Sequence, residues 1–336
     1  MILISYGTRP EWIKIKPIID ILKENRTPFK VLFTGQHTQL ANYDYDYTLD
    51  VKKCDNRLNE IISAVLNSSS KIFEGIEYVL VQGDTASTYA VALTAFNHKV
   101  KVIHLEAGLR TYDLENPYPE EAYRQMISRI TEIHLCATAN NKQNLIDEKN
   151  PGQKYVVGNT VLDNLKGYES SYNNEILVTM HRRENHEILD QWFNNINKLA
   201  TMNPHLRFTI PLHPNPNVQK YKHLLTSLNV IAPLEYDEMI RKISECRFII
   251  SDSGGIQEEA SFLNKKVIVC RKFTERTESL QKHSYLCKTP AEIFGLFDDI
   301  ENGYIINECS PYGDGNASKR IYNILIKGEN DEFKNI

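Results

Sequence analysis

Short apolar, β-branched runs recur along this chain, each closed by a polar or glycine-rich turn and followed by a stretch of helical periodicity. In the first half they fall at residues 2–6, 30–34, 78–81, 100–105, 133–137 and 154–157. In the second half they fall at 176–180, 207–212, 229–234, 248–251 and 267–270. Strands that do not alternate apolar with polar residues are buried on both faces, which is the habit of parallel sheets covered by helices. Two such sets in 336 residues predict two Rossmann-like doubly wound domains rather than one large sheet. The polar stretch at 159–174, with Gly167 and a Ser170-Ser171 pair, predicts the boundary. The expected division is 1–165 with 318–336 against 166–317. Residues 315–327 read as a final amphipathic helix and the charged tail from 328 as frayed.

In such sheets ligands bind beyond the carboxyl ends of the strands. The unusual residues of this chain lie there: Gly7-Thr8-Arg9-Pro10, Gly35-Gln36-His37, Gly83-Asp84-Thr85, Glu106-Ala107-Gly108, His181-Arg182-Arg183-Glu184, His213-Pro214 and Asp252-Ser253-Gly254-Gly255. Polar strand ends from both halves predict an active site in a cleft between domains.

Composition narrows the partners. A net charge of −4 argues against a general nucleic-acid binder, so any anion must be held by a local site. The six cysteines, Cys54, Cys136, Cys246, Cys270, Cys287 and Cys309, contain no Cys-x-x-Cys pair and read as reduced structural thiols. The apolar N-terminus lacks a basic flank and reads as a strand, and no run is long enough to cross a membrane. A cytoplasmic protein is expected. No cluster has metal-ligand spacing, and the first strand is not followed by Gly-x-Gly-x-x-Gly, so neither metal nor nicotinamide cofactor is expected.

Residues 248–260 form a strand, a Gly254-Gly255 turn and a helix start. Glycines let a ligand approach the backbone, and the helix N-terminus, with about half a positive charge, suits a diphosphate. Glu258 or Glu259, a turn later, can accept from a ribose diol; the alternative is a tight turn with glutamates serving the helix dipole. Gly7-Thr8-Arg9-Pro10-Glu11-Trp12-Ile13-Lys14 repeats the device after the first strand, with Pro10 at a helix start. Arg9 and Lys14 can neutralise phosphate oxygens, or simply be solvated cations, the reading preferred for Lys16.

Asp84, Glu106 and Glu120 are the acid–base candidates. Asp84 and Glu106 follow apolar strands directly, where a carboxylate must be paired or have a task. Glu120 opens a helix whose expected apolar stripe is Met126, Ile127, Ile130 and Ile133; alternatively it is a dipole partner paired with Arg124 at i+4. Carboxylates converging on one site raise each other's pKa and set an acid beside a base. His181 and His213 each end a strand, as packed residues or as phosphate donors together with Arg182 and Arg183.

These residues, from about 2 to 325, resemble the non-hydrolysing UDP-N-acetylglucosamine 2-epimerases. The resemblance rests on Gly7–Lys14, Thr34-Gly35-Gln36-His37, Gly83-Asp84-Thr85, Glu106 to Thr111, Pro117 to Glu121, Gly158-Asn159-Thr160, Thr179 to Asn185, His213-Pro214-Asn215-Pro216 and Asp252 to Ala260. It implies a GT-B-like fold with UDP in the interdomain cleft, the final helix returning to the first domain, and a homodimer. It implies catalytic roles for Asp84, Glu106, Glu120 and His181, and contacts to UDP or substrate from Arg9, Lys14, Arg182, His213, Ser253, Gly254, Gly255 and Glu259. The implied reaction is anti elimination of UDP to 2-acetamidoglucal and re-addition with the proton on the other face of C2. Many bacterial members continue Gln-His with Arg-x-Met-Leu-Asp and bind a second substrate molecule as activator. Here the chain reads Gln36-His37-Thr38-Gln39-Leu40-Ala41, and the helix around 56–72 carries only Arg57, so substrate activation is not carried over. A hydrolysing relative releasing N-acetylmannosamine, a glycosyltransferase of the same fold and a non-catalytic sugar-nucleotide binder remain as alternatives.

Overall fold

The computed structural model describes residues 1–36, 44–51, 55–303, 306 and 308–333. It divides into two compact units, Met1–Asn164 with Gly313–Ile336, and Leu165–Tyr312.

The first unit is built on β1 (Ile2–Tyr6), β2 (Phe29–Phe33), β3 (Tyr47–Thr48), β4 (Tyr78–Gln82), β5 (Lys101–Leu105), β6 (Ile133–Cys136) and β7 (Gln153–Val156). All pairs are parallel, in the order β3-β2-β1-β4-β5-β6-β7. Its helices are α1 (Arg9–Glu24), α2 (Arg57–Leu66), α3 (Ala86–Asn97), α4 (Glu120–Arg129) and α5 (Ala139–Asp147). The continuous apolar strands are buried on both faces. Ile4, Ile103 and Leu135 meet α1 through Ile15, Ile18 and Leu22, while Leu3, Val79 and Val81 meet α3 through Ala90, Val91 and Ala95. Burying side chains of this size contributes about 1.5–3 kcal/mol each, which fixes the sheet as a rigid platform.

The second unit holds β8 (Glu175–Thr179), β9 (Arg207–Pro211), β10 (Asn229–Ile231), β11 (Phe248–Ser251), β12 (Val267–Cys270) and β13 (Ser284–Cys287). These strands are again wholly parallel, in the order β10-β9-β8-β11-β12-β13. Its helices are α6 (Leu189–Met202), α7 (Pro216–Gln219), α8 (Tyr236–Glu245), α9 (Gly254–Phe262) and α10 (Ile293–Asn302). Trp192 and Phe193 of α6, Phe208, Phe248 and Phe297 fill its core, with the Phe248 and Phe297 rings edge to face at 5.3 Å. Lys265 is buried, donates to the Cys246 carbonyl at 2.7 Å and to the Ser171 carbonyl, and lies 3.7 Å from the Tyr172 ring centroid. It thereby ties the incoming polar segment to this unit.

The chain returns to the first unit through α11 (Ala317–Tyr322), extended by a π-helical turn at Asn323–Lys327. The Asp163 carboxylate caps α11, accepting the amides of Ala317 at 3.0 Å and Ser318 at 2.7 Å, and Ile321 and Ile324 join the first core.

Several expectations need correction. Strands β3 and β13 were not anticipated: Tyr47–Thr48 has only two residues, and Ser284–Cys287 opens on a polar residue. The run at 229–234 ends as a strand at Ile231. Of the expected stripe Met126, Ile127, Ile130 and Ile133, Ile127 alone is a buried residue of α4. Met126 is exposed and Ile133 belongs to β6, while Glu121, Tyr123, Arg124, Ile127 and Ser128 are buried. The tail does not fray through residue 333. Glu332 accepts from Lys142 at 2.6 Å and from the Val156 amide at 3.0 Å, and Phe333 donates to the Val156 carbonyl at 2.6 Å, so the tail covers the β7 edge.

Candidate active site

In each sheet the strand order reverses between the first strand of the unit and the fourth, β1 and β4 in one and β8 and β11 in the other. Crevices at such points receive ligands, because neighbouring connections depart to opposite faces there.

In the first unit, α1 starts at once after β1. Thr8 is its N-cap and forms a capping box with Glu11, and Pro10 occupies the first turn. Arg9 is the first helical residue. Gly7 admits no side chain, since a Cβ there would meet Thr34 Oγ1 at 2.3 Å and Ser87 Oγ at 2.5 Å. After β4, Gly83 turns with φ +74° and Asp84 follows, with Thr85 capping α3. Glu106, just after β5, has φ +66°, a left-handed backbone that a non-glycine residue holds only under constraint and that collects at functional sites.

The side chains explain that constraint. Glu106 accepts from Lys14 Nζ at one oxygen and from Gln82 Nε2, at 2.5 Å, at the other. Its Oε2 lies 3.6 Å from where a Cβ on Gly83 would stand. Asp84 Oδ2 accepts from Arg124 Nε at 3.0 Å and from Arg124 Nη2, and Arg124 Nη1 reaches Glu121 at 3.2 Å. Glu120 opens α4 one turn before that arginine. Asp84 is therefore ion-paired with Arg124 and Glu106 with Lys14, and both carboxylates belong to residues next to Gly83 in chain or in space. Lys14 is engaged with Glu106, and Gly158, Asn159 and Thr160 line the same recess. Lys16 pairs with Asp20 on the surface, as a solvated cation should. Gln36 Oε1 accepts from the Ser87 amide at 3.3 Å, and exposed Arg57 donates to the Gln36 carbonyl at 2.7 Å. His37 and Gln39 lie outside the described residues, as does Cys54.

His104 of β5 donates through Nε2 to the Gly83 carbonyl, 2.8 Å away, and faces His134 across the β5–β6 ladder. Burial lowers His104 to about 4 and His134 to about 3. Both folded values lie below the unfolded value of 6.5, so the unfolded chain binds more protons in that interval. Stability is therefore full above about pH 6.5 and declines as pH falls toward 4 and then 3, by up to about 1.4 kcal/mol per pH unit per histidine. Glu11 opposes part of this. Burial pushes it up to about 7, so its extra folded-state proton favours the native chain as pH falls from 7 toward 4.5. Urea titrations at pH 7 and pH 5 should show the native state weakened at pH 5 and the slope reduced in His134→Gln. An unchanged slope in that variant contradicts the assignment.

In the second unit, Asp252 is fully buried at the end of β11. It accepts from the His181 amide at 3.1 and 3.0 Å, the Arg182 amide at 2.9 Å and Asn185 Nδ2 at 3.1 Å. This single carboxylate orders the turn after β8. The His181 Nδ1 lies 3.6 Å from Asp252, and the His181 ring stacks on His213, centroids 5.3 Å apart. Burial first, and His181 second, hold His213 below the usual imidazole range. Ser253 is the N-cap of α9 but makes no side-chain capping bond.

A Cβ on Gly254 would meet Arg276 Nη1 at 2.6 Å and Arg182 Nη2 at 3.3 Å, whereas one on Gly255 would meet nothing within 4 Å. Two guanidinium groups thus stand at this helix N-terminus. Burial and the neighbouring Arg271 disfavour the charge of Arg182. Arg276 is committed to Glu258 at 2.8 Å and to Glu275, and Arg271 to Glu184 at 2.7 Å and Glu275 at 3.0 Å. Against the effect of its own burial, Arg276 and Arg271 hold Glu275 well below the carboxylate range. Glu258 is therefore a framework residue. Arg183 is exposed, while His181 and Arg182 are half-buried.

Sequence reasoning gave no role to Glu11 or Asp252, though both lie in its motifs, and did not single out Gln82 or Arg276. The Thr8-x-x-Glu11 spacing was a readable capping signal, and Asp252 sits between a buried strand and a glycine pair. Nothing local marks Gln82 or Arg276. Among the described residues no group of three or more His, Cys, Asp and Glu is placed to hold a metal ion, and no helix is long and apolar enough to cross a membrane.

Two parallel units whose sheets share the strand order third-second-first-fourth-fifth-sixth, the first with a seventh strand added, and which carry polar residues at the reversal, define a pair of Rossmann-like domains of GT-B type. A structure of MurG from Acinetobacter baumannii, 10% identical, shares this fold with a TM-score of 0.62 over 97% of this chain and 99% of that one. The profile of the family described as UDP-N-acetylglucosamine 2-epimerase matches residues 20–326. The UDP-N-acetylglucosamine 2-epimerase of Campylobacter jejuni is 40% identical, over 98% of both chains. The crystal structure of UDP-GlcNAc 2-epimerase from Neisseria meningitidis bound to UDP-GlcNAc is 37% identical, with a TM-score of 0.88 over 97% of this chain and 99% of that one. The S. aureus MnaA-UDP co-structure is 30% identical with a TM-score of 0.88, covering 99% of each. This chain belongs to the UDP-N-acetylglucosamine 2-epimerase family.

Proposed function

We propose that this protein inverts C2 of UDP-N-acetylglucosamine, interconverting it with UDP-N-acetylmannosamine without net hydrolysis. The observation that carries the reading is the set of carboxylates on one unit: Asp84 and Glu106, each fixed by a cation, lie next to Gly83, and Glu120 opens the helix whose Arg124 holds Asp84.

The C2–H bond is a poor acid because C2 is not next to a carbonyl. It becomes labile as the C1–O bond breaks and positive charge grows at C1. In the proposed route the C1–O electron pair leaves with UDP, a carboxylate takes the C2 proton, and the C2–H pair forms the C1=C2 bond of 2-acetamidoglucal. UDP then returns to C1 while a second carboxylic acid delivers a proton to the opposite face of C2. A base on one face and an acid on the other are both needed, so a lone carboxylate could not invert the centre. Donors that bind the diphosphate more tightly as it acquires charge lower the barrier. In the second unit His181, Arg182, His213, Ser253 and the α9 amides at Gly254 and Gly255 are assigned that role and Glu259 is assigned to the ribose; in the first unit Arg9 is assigned to phosphate oxygens and Lys14 fixes Glu106.

The decisive experiment is incubation with UDP-N-acetylglucosamine in deuterated water. Deuterium at C2 of the intact nucleotide sugar, in both epimers, is expected. Free N-acetylmannosamine with UDP would instead establish hydrolysis, and absence of exchange would remove the acid–base reading.

Gly255 supplies an independent check. Ala there has room and favours a helix more than Gly, so Gly255→Ala should match or slightly exceed the wild type in thermal stability. Its methyl group would stand where the diphosphate is proposed to meet the α9 amides, and UDP affinity by calorimetry should fall about tenfold or more. Unchanged affinity would count against the phosphate site.

A further inference from the structure

In the second unit Asp252 crosses the reversal of strand order, following β11 while holding backbone amides that follow β8. The first unit has a counterpart. Glu11, 3% exposed in the first turn of α1, accepts at Oε2 from the amides of Gly7 at 2.5 Å and Thr8 at 3.2 Å. Its Oε1 accepts the Thr85 hydroxyl at 2.7 Å. Gly7 and Thr8 form the turn after β1 that leads into Arg9, and Thr85 ends the turn after β4 that carries Asp84. A capping box requires only the bond to the N-cap amide. The bonds to Gly7 and Thr85 exceed it, and the second crosses from one side of the crevice to the other. A carboxyl group this deeply buried is expensive unless its geometry is useful.

We infer that Glu11 is a positioning residue, which ties the Arg9 turn to the Asp84 turn and so fixes the phosphate-side cation and the acid–base carboxylate in one arrangement. This rests on the roles proposed above for Asp84 and Arg9. The side chain touches no reacting atom. Its effect is on where Asp84 stands, and a displacement of about 1 Å at such a group costs up to about 100-fold in rate. Gln at this position keeps an oxygen for the two amides and offers an N–H to Thr85 Oγ1. Ala keeps neither.

The test uses the full chain and measures turnover at saturating substrate, UDP affinity and thermal midpoint. Wild type and Asp84→Asn come first: an inactive wild type or an active Asp84→Asn overturns the functional reading itself, separately from the role of Glu11. With that reading intact, Glu11→Ala is expected to lose about 30-fold in kcat, and Glu11→Gln to recover to within about fivefold of wild type. Thr85→Val, which cuts the link from the other side, should lose about tenfold, and the double variant Glu11→Ala, Thr85→Val should be no worse than Glu11→Ala by more than about twofold. A folded Glu11→Ala within about twofold of wild type, or a double variant losing the product of the single losses, overturns the inference. If Glu11→Ala does not fold, Thr85→Val decides: a loss of about tenfold supports the link, and wild-type turnover removes it.

Discussion

Asp84→Asn, Glu106→Gln and Glu120→Gln are each expected to lose about two orders of magnitude or more in turnover while still binding UDP. Each replacement keeps the volume and removes the ability to exchange a proton at the pKa the reaction needs. The variants differ in what else they disturb. Asp84→Asn leaves Arg124 still paired with Glu121, and Glu106→Gln leaves Lys14 beside a neutral amide. A loss caused by misfolding would lower the thermal midpoint and UDP affinity together. A loss of chemistry leaves both near wild type, because the proposed phosphate-holding groups of the second unit are untouched. Deuterium exchange into C2 by mass spectrometry, alongside kcat, separates proton removal from later steps. Wild-type turnover in any one variant removes that carboxylate from the mechanism.

Asp252→Ala is expected to be the most destabilising single change in the second unit, by about 3 kcal/mol or more. The carboxylate is fully buried and accepts from two backbone amides and one side-chain amide. Removing it strands three donors, each costing about 1–3 kcal/mol when left unpaired out of water. Urea unfolding reads the loss directly. The same change should abolish measurable UDP binding by the folded fraction, since the His181–Arg182 turn loses its anchor. Asp252→Asn should fall between, because one oxygen still accepts while the new N–H₂ faces donors. A loss under about 1 kcal/mol for the alanine variant would show that water replaces the carboxylate and that Asp252 does not organise the turn.

The strands and their parallel, doubly wound order were legible because burial on both faces leaves a local signature, an unbroken apolar run. The turns were legible from their glycines: Gly83 turns at a positive φ, and a Cβ on Gly254 would meet the Arg276 guanidinium. The amphipathic pattern failed at α4. Its buried face sets Glu121, Arg124 and Ser128 beside Tyr123 and Ile127, polar groups that burial tolerates only because Asp84, Arg110 and the Thr111 and Tyr112 amides complete their hydrogen bonds. No periodicity reports a partner 40 residues away.

The sequence alone determined the two-domain parallel architecture, the strand-end positions of Asp84, Glu106, His181, His213 and the glycine pair, and the family to which the chain belongs. Hydrophobic periodicity and backbone conformation are local properties, and the amino-acid order states them directly. The tertiary structure alone decided the pairing: Lys14 with Glu106, Arg124 with Asp84, Glu258 with Arg276, Asp252 with the turn after β8, and Glu11 with Thr85. A buried charge takes whichever opposite charge or donor the packing brings within about 3 Å, and that choice depends on strand order, not on distance along the chain.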